Sequence, residues 1–301
     1  MDTSASIPSP APPAASRAAL GWVNGLIGMA IFSGSLPATK IAVLAFDPVF
    51  LTFARAAIAG IAAVLLLAAL RPDRPDRADL TPLTITALGV VVGFPLLTAL
   101  ALQHVTSARA MVFIGLLPIA TAVFGALRGG ERPRPAFWAC SIAGATVVAV
   151  WAFTGGGEAS LVGDALMLAA VVVCGLGYAE GAALSRRLGG WQVISWALLL
   201  SLPIMLPAAL ATRPDTWQGV GWPALAALGY VSLFSMLIGF VFWYRGLVQG
   251  GIAAVGQLQL LQPFLGFALA ALLVGETIGW TLLAAAGAVV VCVAGAKRFA
   301  S

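Results

Sequence analysis

Three glutamines, Gln257, Gln259 and Gln262, stand close together in an otherwise apolar stretch. At about 100° per residue, Gln259 and Gln262 share one face of a helix, whereas Gln257 points elsewhere. Lipid cannot satisfy an amide side chain, so such groups turn toward the protein interior or a cavity. The pair therefore predicts a site that binds a small polar substrate, and hydrogen bonding between helices is the alternative.

Aromatic side chains at helical spacing supply a second kind of chemistry. Phe240, Trp243, Tyr244 and Leu247 follow the i, i+3, i+4, i+7 pattern of one helix face. Such a stripe stacks on an aromatic or long apolar substrate, faces lipid, or packs in the core. Other apolar stretches complete the predicted substrate pocket with Phe94, Met111, Phe113 and Tyr178.

Two charged side chains fall inside apolar stretches. Arg55 lies about two turns from one end of its stretch, where it can meet a substrate carboxylate or form an ion pair. Glu180 is close enough to the end of its stretch to reach the interface or to pair with Arg186 or Arg187. A role in proton coupling or substrate binding is the other interpretation of Glu180, because carboxylates are costly inside a membrane.

Two prolines predict kinks in the helices that carry them. Pro118 and Pro263 lack an amide hydrogen, so they free the carbonyls of Ile114 and Gln259. In lipid, a freed carbonyl must face protein or a water-filled cavity. Kinks at the midplane would place hydrogen-bonding backbone near a substrate, although a bend without ligand contact fits the same pattern.

The composition places all these residues in a membrane. The chain has 301 residues, of which 61% are hydrophobic and 9% charged, whereas soluble proteins are about 25% charged. A spanning helix needs about 20 apolar residues. We number the apolar segments one to ten, and they run about Ala18–Ala38, Pro48–Leu70, Leu80–Leu102, Ala110–Leu127, Pro135–Phe153, Gly163–Leu184, Gln192–Leu210, Trp222–Val248, Ile252–Val274 and Ile278–Ala296.

Basic residues predict the orientation of these segments. Cytoplasmic loops collect Lys and Arg, and with both termini on one side that side receives 12 of the 16 basic residues. We therefore expect a multi-pass protein of a bacterial inner membrane with both termini in the cytoplasm. Residues 1–17 are rich in Pro, Ala and Ser and are predicted to form a disordered tail.

An internal repeat divides the chain into two halves. Leu-x-Pro, followed by Glu after 12 further residues, occurs from Leu116 to Glu131 and again from Leu261 to Glu276, at an offset of 145 residues. Each half has five segments, and this odd number places the halves in opposite orientations. The predicted fold is all-α, with ten transmembrane helices as two inverted five-helix repeats over residues 18–153 and 163–297. We expect Glu131 and Glu276 to cap segments five and ten.

Three stretches carry a resemblance to a known family. They are FSGSLPATK from Phe32 to Lys40, the repeated Pro-to-Glu stretches, and YAEGAALSRR from Tyr178 to Arg187. The chain resembles the EamA-type ten-span exporters of the drug/metabolite transporter superfamily. The resemblance implies export of small metabolites, with amino acids prominent, from a cavity lined mainly by segments one, three, four, six, eight and nine. Phe32 and Glu180 depart from the Trp and the small or apolar residue common at those places.

Absent motifs narrow the function further. The sequence has no G-x-x-x-x-G-K-[ST] phosphate loop and a single histidine, which argues against ATP-driven pumping within this chain and against the usual zinc site. Its basic residues lie between apolar runs, so nucleic acid is not an expected partner. We expect no cofactor and no metal, a monomeric protein, and a small-molecule substrate and membrane lipids as partners.

These patterns together predict an exporter of small metabolites, above all amino acids including aromatic ones. It would work by alternating access without ion coupling, because the sequence places no carboxylate near the bilayer centre. A proton-coupled drug/metabolite exporter is the alternative within transport. A membrane enzyme acting on lipid head groups is the alternative of another class, and it would need convergent acid, base or nucleophile groups.

Overall fold

Helices form the regular secondary structure of the chain, because lipid offers the backbone no other hydrogen-bonding partner. The computed structural model describes residues 14–129, 134–154, 160–250 and 255–298. The first helix begins at Ala14, inside the stretch predicted as a tail, and residues 1–13 lie outside the described residues. The α-helices are Ala14–Ser33, Ser35–Val43, Pro48–Leu70, Arg77–Thr86, Phe94–Ala101, Ser107–Ile114, Leu117–Gly129, Pro135–Thr154, Leu161–Leu188, Gly190–Ala211, Trp222–Gly229, Gly239–Gly250, Gln262–Val274 and Trp280–Arg298, with π-helical turns at Ala87–Gly93 and Tyr230–Ile238 and a 3-10 helix at Gly256–Leu261.

Seven helical stretches within the described ranges are long and apolar enough to cross a bilayer. They correspond to segments one to four and six to eight. Segments five, nine and ten contain the shorter apolar helices Trp138–Val147, Gln262–Val274 and Trp280–Cys292. The predicted all-helical membrane class is confirmed, and ten membrane crossings stay a prediction.

The first turn of segment two sets the position of Arg55. Asp47 accepts hydrogen bonds from the amides of Val49 and Phe50 at 2.8 and 3.2 Å, and Pro48 is the first helical residue. Both choices suit a helix N-terminus, where the amides need an acceptor and a missing N–H is harmless. Arg55 follows about two turns later, on the face that contacts segment eight.

Helix contacts made by a segment of one half have equivalent contacts made by the corresponding segment of the other half. Segment one packs against segment eight, and segment six packs against segment three. Segment two contacts segment eight, and segment seven contacts segment three. Segments two and seven, four and nine, and five and ten also contact each other directly. Exchanging each segment with the one five places along preserves these contacts, so the halves pack about an approximate twofold relation.

The two π-helical turns occupy equivalent places in the halves. They end at Gly93 in segment three and at Ile238 in segment eight, which are separated by the same 145 residues as the repeated motif. Such turns concentrate at functional sites because the extra residue shifts the faces of a helix. Their residues Val90 and Ser235 both line the central cavity described below.

Glycine allows close helix approach at two equivalent contacts. Gly25 of segment one faces Gly246 of segment eight, and Gly89 of segment three faces Gly177 of segment six. A Cβ at Gly89 would lie 2.6 Å from the carbonyl oxygen of Val173. In lipid, where apolar burial drives little association, such close packing is a main source of helix attraction.

Candidate functional site

A cavity of about 30 Å³ lies where the two halves meet. Its wall includes residues from the six segments that the family resemblance implies, together with Arg55 from segment two. This volume holds about one or two water molecules, whereas small-molecule sites measure about 300–1,000 Å³. The cavity is therefore much smaller in this structure than a typical small-molecule site.

The cavity brings together part of the predicted site. The predicted residues that line it are Phe94, Tyr178, Gln262 and Arg55. The other predicted substrate-binding residues are buried behind this lining, and they are Gln259, Met111, Phe113, Trp243 and Tyr244. Met111, for example, packs against Gly266 of segment nine.

The chain departs from α-helical geometry just before each predicted kink. Segment four has a break between Ile114 and Leu117, and the 3-10 turn of segment nine ends at Leu261. Pro118 and Pro263 then stand in the first turn of the next helix, where the missing N–H is not needed. Ile114, whose carbonyl receives no hydrogen bond from Pro118, lines the cavity.

A buried arginine supplies the positive charge of the cavity. Arg55 is 4% exposed, and its Nη2 donates to the Val231 carbonyl at 3.2 Å and to Ser235 Oγ at 3.5 Å. Ser235 Oγ in turn lies 2.6 Å from Ser35 Oγ. Within the described ranges, Arg55 Nε has no hydrogen-bond acceptor and neither observed ion pair includes Arg55. Sequence patterns do not point to Ser35 and Ser235, because helical serines commonly bond only their own backbone.

Two glutamine side chains of segment nine each keep one buried polar atom without a partner in the described part of the chain. These atoms are Gln259 Nε2 and Gln262 Oε1. Gln262 lines the cavity, whereas Gln259 does not. A buried amide atom without a hydrogen bond is costly, so Gln262 retains an unused acceptor, and its role in substrate binding stays a prediction.

Five aromatic rings pack together at one side of the cavity. Phe32 and Phe240 meet edge to face at 4.9 Å between centroids, and Tyr178 lies 5.8 Å from Phe240. Trp243 and Tyr244 form a layer behind them, 6.5 Å from Tyr178 and 5.4 Å from Phe240 respectively. Within the stripe of segment eight, Phe240 lines the cavity, whereas Trp243 and Tyr244 pack against neighbouring rings. Stacking of the stripe on a substrate stays a prediction.

Tyr244 closes this side by filling space that two glycines leave open. Its hydroxyl lies over Gly181 of segment six, and its Cβ lies against Gly190 of segment seven. A Cβ on either glycine would collide with Tyr244, which is fully buried. The side chain therefore fills the space between segments six, seven and eight.

Glu180 lies beyond the aromatic rings, at the end of segment six. It is 7% exposed and borders a second hollow, of about 270 Å³, together with Asp79 and Arg187. Arg187 forms an ion pair with Asp79 at the start of segment three. Glu180 does not line the central cavity.

Glu276 ties the opposite end of the bundle across the two halves. Its carboxylate accepts hydrogen bonds from the Ser107 amide at 2.9 Å, the Ser107 hydroxyl at 2.8 Å and the Ala108 amide at 2.8 Å. It therefore caps segment four, and the expectation that it caps segment ten was wrong because the helix nearest in sequence is not the nearest in space. Glu131, the equivalent residue, lies outside the described residues.

A doubled family match agrees with this two-part arrangement. The EamA-like transporter family matches residues 19–153 and again residues 161–296. The chain belongs to the EamA-like transporter family. The two matched stretches each contain five of the apolar segments, so the internal repeat and the family match divide this EamA-like transporter at the same place.

Similar proteins support the same class. The uncharacterized transporter YdeK of Bacillus subtilis (strain 168) is 67% identical over 280 residues, which are 93% of this EamA-like transporter and 98% of that protein. A protein of known crystal structure superposes with a TM-score of 0.63 at 21% identity, covering 95% of this chain and 98% of that one. The solved structure shows the fold alone. The family and the relative YdeK are transporters, which implies a transporter rather than an enzyme.

Proposed function

We propose that this EamA-like transporter exports small metabolites, above all amino acids including aromatic ones, across a bacterial inner membrane by alternating access. The observation that carries the proposal is the closed cavity between the halves, where aromatic rings surround a few polar groups. Small-molecule sites combine an apolar wall with a few polar groups that fix the ligand. Secondary transporters place such sites where their repeats meet.

The proposal includes ten membrane crossings in two inverted halves. The exchange of helix contacts and the doubled family match support it. The 3-10 turn at Gly256–Leu261 interrupts segment nine and accounts for the short apolar helix there. Interrupted helices are typical of transporter sites because they offer backbone groups to the substrate. The bias of 12 in 16 basic residues supports cytoplasmic termini.

Export in this arrangement consists of changing which end of the cavity is closed. Tyr244 and the rings around it close one end. The Glu276 contacts with segment four tie the other end, and Lys40 adds a hydrogen bond of 2.6 Å to the Leu102 carbonyl. Rocking of segments three and four against segments eight and nine would break the contacts at one end of the cavity while those at the other end remain. The glycine contacts suit such movement because they carry no interlocking side chains.

We further propose that the substrate gradient alone drives transport. Among the described residues that line the central cavity there is no Asp or Glu, whereas proton relays in transporters use buried carboxylates. The burial of Glu180 beside the second hollow favours the alternative, a proton-coupled drug/metabolite exporter. The uncoupled and the proton-coupled mechanisms therefore make different predictions for a substitution of Glu180.

Flux from purified proteoliposomes tests the proposal. We expect labelled amino acids, phenylalanine among them, to leave these vesicles faster than they leave empty liposomes. The concentrations inside and outside should become equal, with or without a pH gradient. Glu180→Gln should leave this end point unchanged, because no proton would be carried. Rates equal to those of empty liposomes for every amino acid would contradict the proposal. Accumulation driven by a pH gradient, and lost in Glu180→Gln, would establish the proton-coupled alternative.

A further inference from the structure

We infer that Arg55 and Gln262 bind the two charged ends of a zwitterionic substrate, Arg55 the carboxylate and Gln262 the ammonium group. The inference rests on the proposed function and names its substrate class, the α-amino acids. Arg55 comes from the first half of the chain and Gln262 from the second, and both side chains line the one central cavity. A substrate held between them would bridge the two halves that must move.

The surroundings of Arg55 favour a carboxylate as its ligand. A charge buried in a membrane protein requires an opposite charge or several good acceptors. Arg55 has two acceptors, both bound through Nη2, and the 3.5 Å contact with Ser235 is at the limit of a hydrogen bond. Nε meets no acceptor in the described ranges. The guanidinium therefore retains unused donor capacity, and Arg55 is among the residues that line the cavity.

The ion pairs elsewhere in the protein do not supply the missing anion. Those observed in the described part of the chain join Arg109 to Asp164 and Arg187 to Asp79. Arg55 is also the one charged residue among the described residues that line the cavity. A single negative charge balances it, and the planar guanidinium matches a carboxylate in shape.

Acceptors for the ammonium group come from other residues that line the same cavity. Gln262 is 6% exposed, and its Oε1 is buried without a partner in the described ranges. An amide oxygen only accepts hydrogen bonds, so this Oε1 atom can take one from an ammonium donor. Ile114, which Pro118 deprives of one hydrogen bond, adds a carbonyl from segment four. An amine with three donors suits two such acceptors.

Three related compounds separate these two contacts: L-phenylalanine, 3-phenylpropionate, which lacks the ammonium group, and phenethylamine, which lacks the carboxylate. Binding to the purified full-length protein is measured by isothermal titration calorimetry, independently of transport. We expect each truncated compound to bind the native protein about 10- to 100-fold more weakly than phenylalanine, the loss typical of a charged hydrogen bond.

Substitutions then assign each contact to its residue. Arg55→Gln should weaken the binding of phenylalanine and of 3-phenylpropionate by about 10- to 100-fold. The affinity for phenethylamine should not change. Arg55→Lys should recover part of the lost affinity. Gln262→Leu should reduce the preference for phenylalanine over 3-phenylpropionate. Arg213→Gln removes the same charge from an exposed position and should change nothing. Thermal unfolding of each variant confirms that it folds.

The outcomes distinguish this inference from the proposed function. Phenethylamine binding as tightly as phenylalanine, a carboxylate preference that survives Arg55→Gln, or no binding of any carboxylate would overturn the inference. Amino acid flux that is indifferent to Arg55 would leave the exporter proposal standing and overturn the carboxylate contact. Carboxylate binding that depends on Arg55, without any amino acid flux, would support the carboxylate contact and contradict the exporter proposal.

Discussion

Asp164→Asn is expected to lower the free energy of unfolding by about 3–5 kcal/mol, the cost of breaking a buried ion pair from one side. Arg109 donates from Nε to Asp164 Oδ1 at 2.8 Å and from Nη2 to Oδ2 at 2.6 Å. The two side chains are 6% and 12% exposed. The substitution removes the negative charge that accepts both of these hydrogen bonds from the buried guanidinium. Thermal unfolding of the purified protein in one detergent measures the effect.

Two variants control for this effect. Arg109→Leu combined with Asp164→Leu removes both charges and should recover most of the stability, because the desolvation of the pair offsets much of its attraction. Asp215→Asn makes the same chemical change at an exposed position and should stay within about 0.5 kcal/mol of the native protein. An Asp164→Asn protein as stable as Asp215→Asn would show that the ion pair does not hold segments four and six together.

Gly89→Ala is expected to destabilise the protein by about 1–3 kcal/mol and to slow transport, because it overpacks the contact of segments three and six. The added Cβ would lie 2.6 Å from the Val173 carbonyl oxygen and 2.8 Å from Gly177 Cα. Both neighbours are backbone atoms of a long helix, so neither can yield by a side-chain rotation. Unfolding temperature and initial efflux rate measure the two effects.

Gly125→Ala provides the matched control for Gly89→Ala. Gly125 also lies in a helix, but a Cβ there would meet nothing within 4 Å. Alanine in an unstrained helical position is expected to stabilise by about 0.4–1 kcal/mol, since it restricts the unfolded chain. If Gly89→Ala and Gly125→Ala have the same unfolding temperature, the close approach of segments three and six is not as described.

The sequence predicts the helices well where apolar runs and capping residues coincide. Segment two is the best case, since the predicted bounds Pro48–Leu70 are those of the helix. Segment three begins earlier than its apolar run, at Arg77, because Asp76 and Asp79 form a capping box in front of it. Hydropathy does not detect such polar caps, so it places the start of this helix too late in the sequence.

The candidate site shows what helical periodicity leaves undetermined. Periodicity places Phe240, Trp243 and Tyr244 on one face, but the neighbouring helices decide which of them reaches the cavity. Segments one and six approach segment eight so closely that only Phe240 does. Arg55 is visible in the sequence as a charge in an apolar run, whereas the absence of an ion-pair partner around it, among the described residues, emerges only from the packing.

If the closed cavity between the halves is the substrate pathway, it must become accessible from each side of the membrane in turn. Cys174 lines this cavity and is 1% exposed in the structure. The sequence has three cysteines, so replacing Cys140 and Cys292 with alanine leaves Cys174 as the single thiol. The decisive measurement is the rate at which a small membrane-impermeant thiol reagent modifies Cys174 from either side of transporting vesicles. We expect modification from both sides, slowed by saturating amino acid substrate; a thiol that stays unreactive from either side during transport would contradict the pathway.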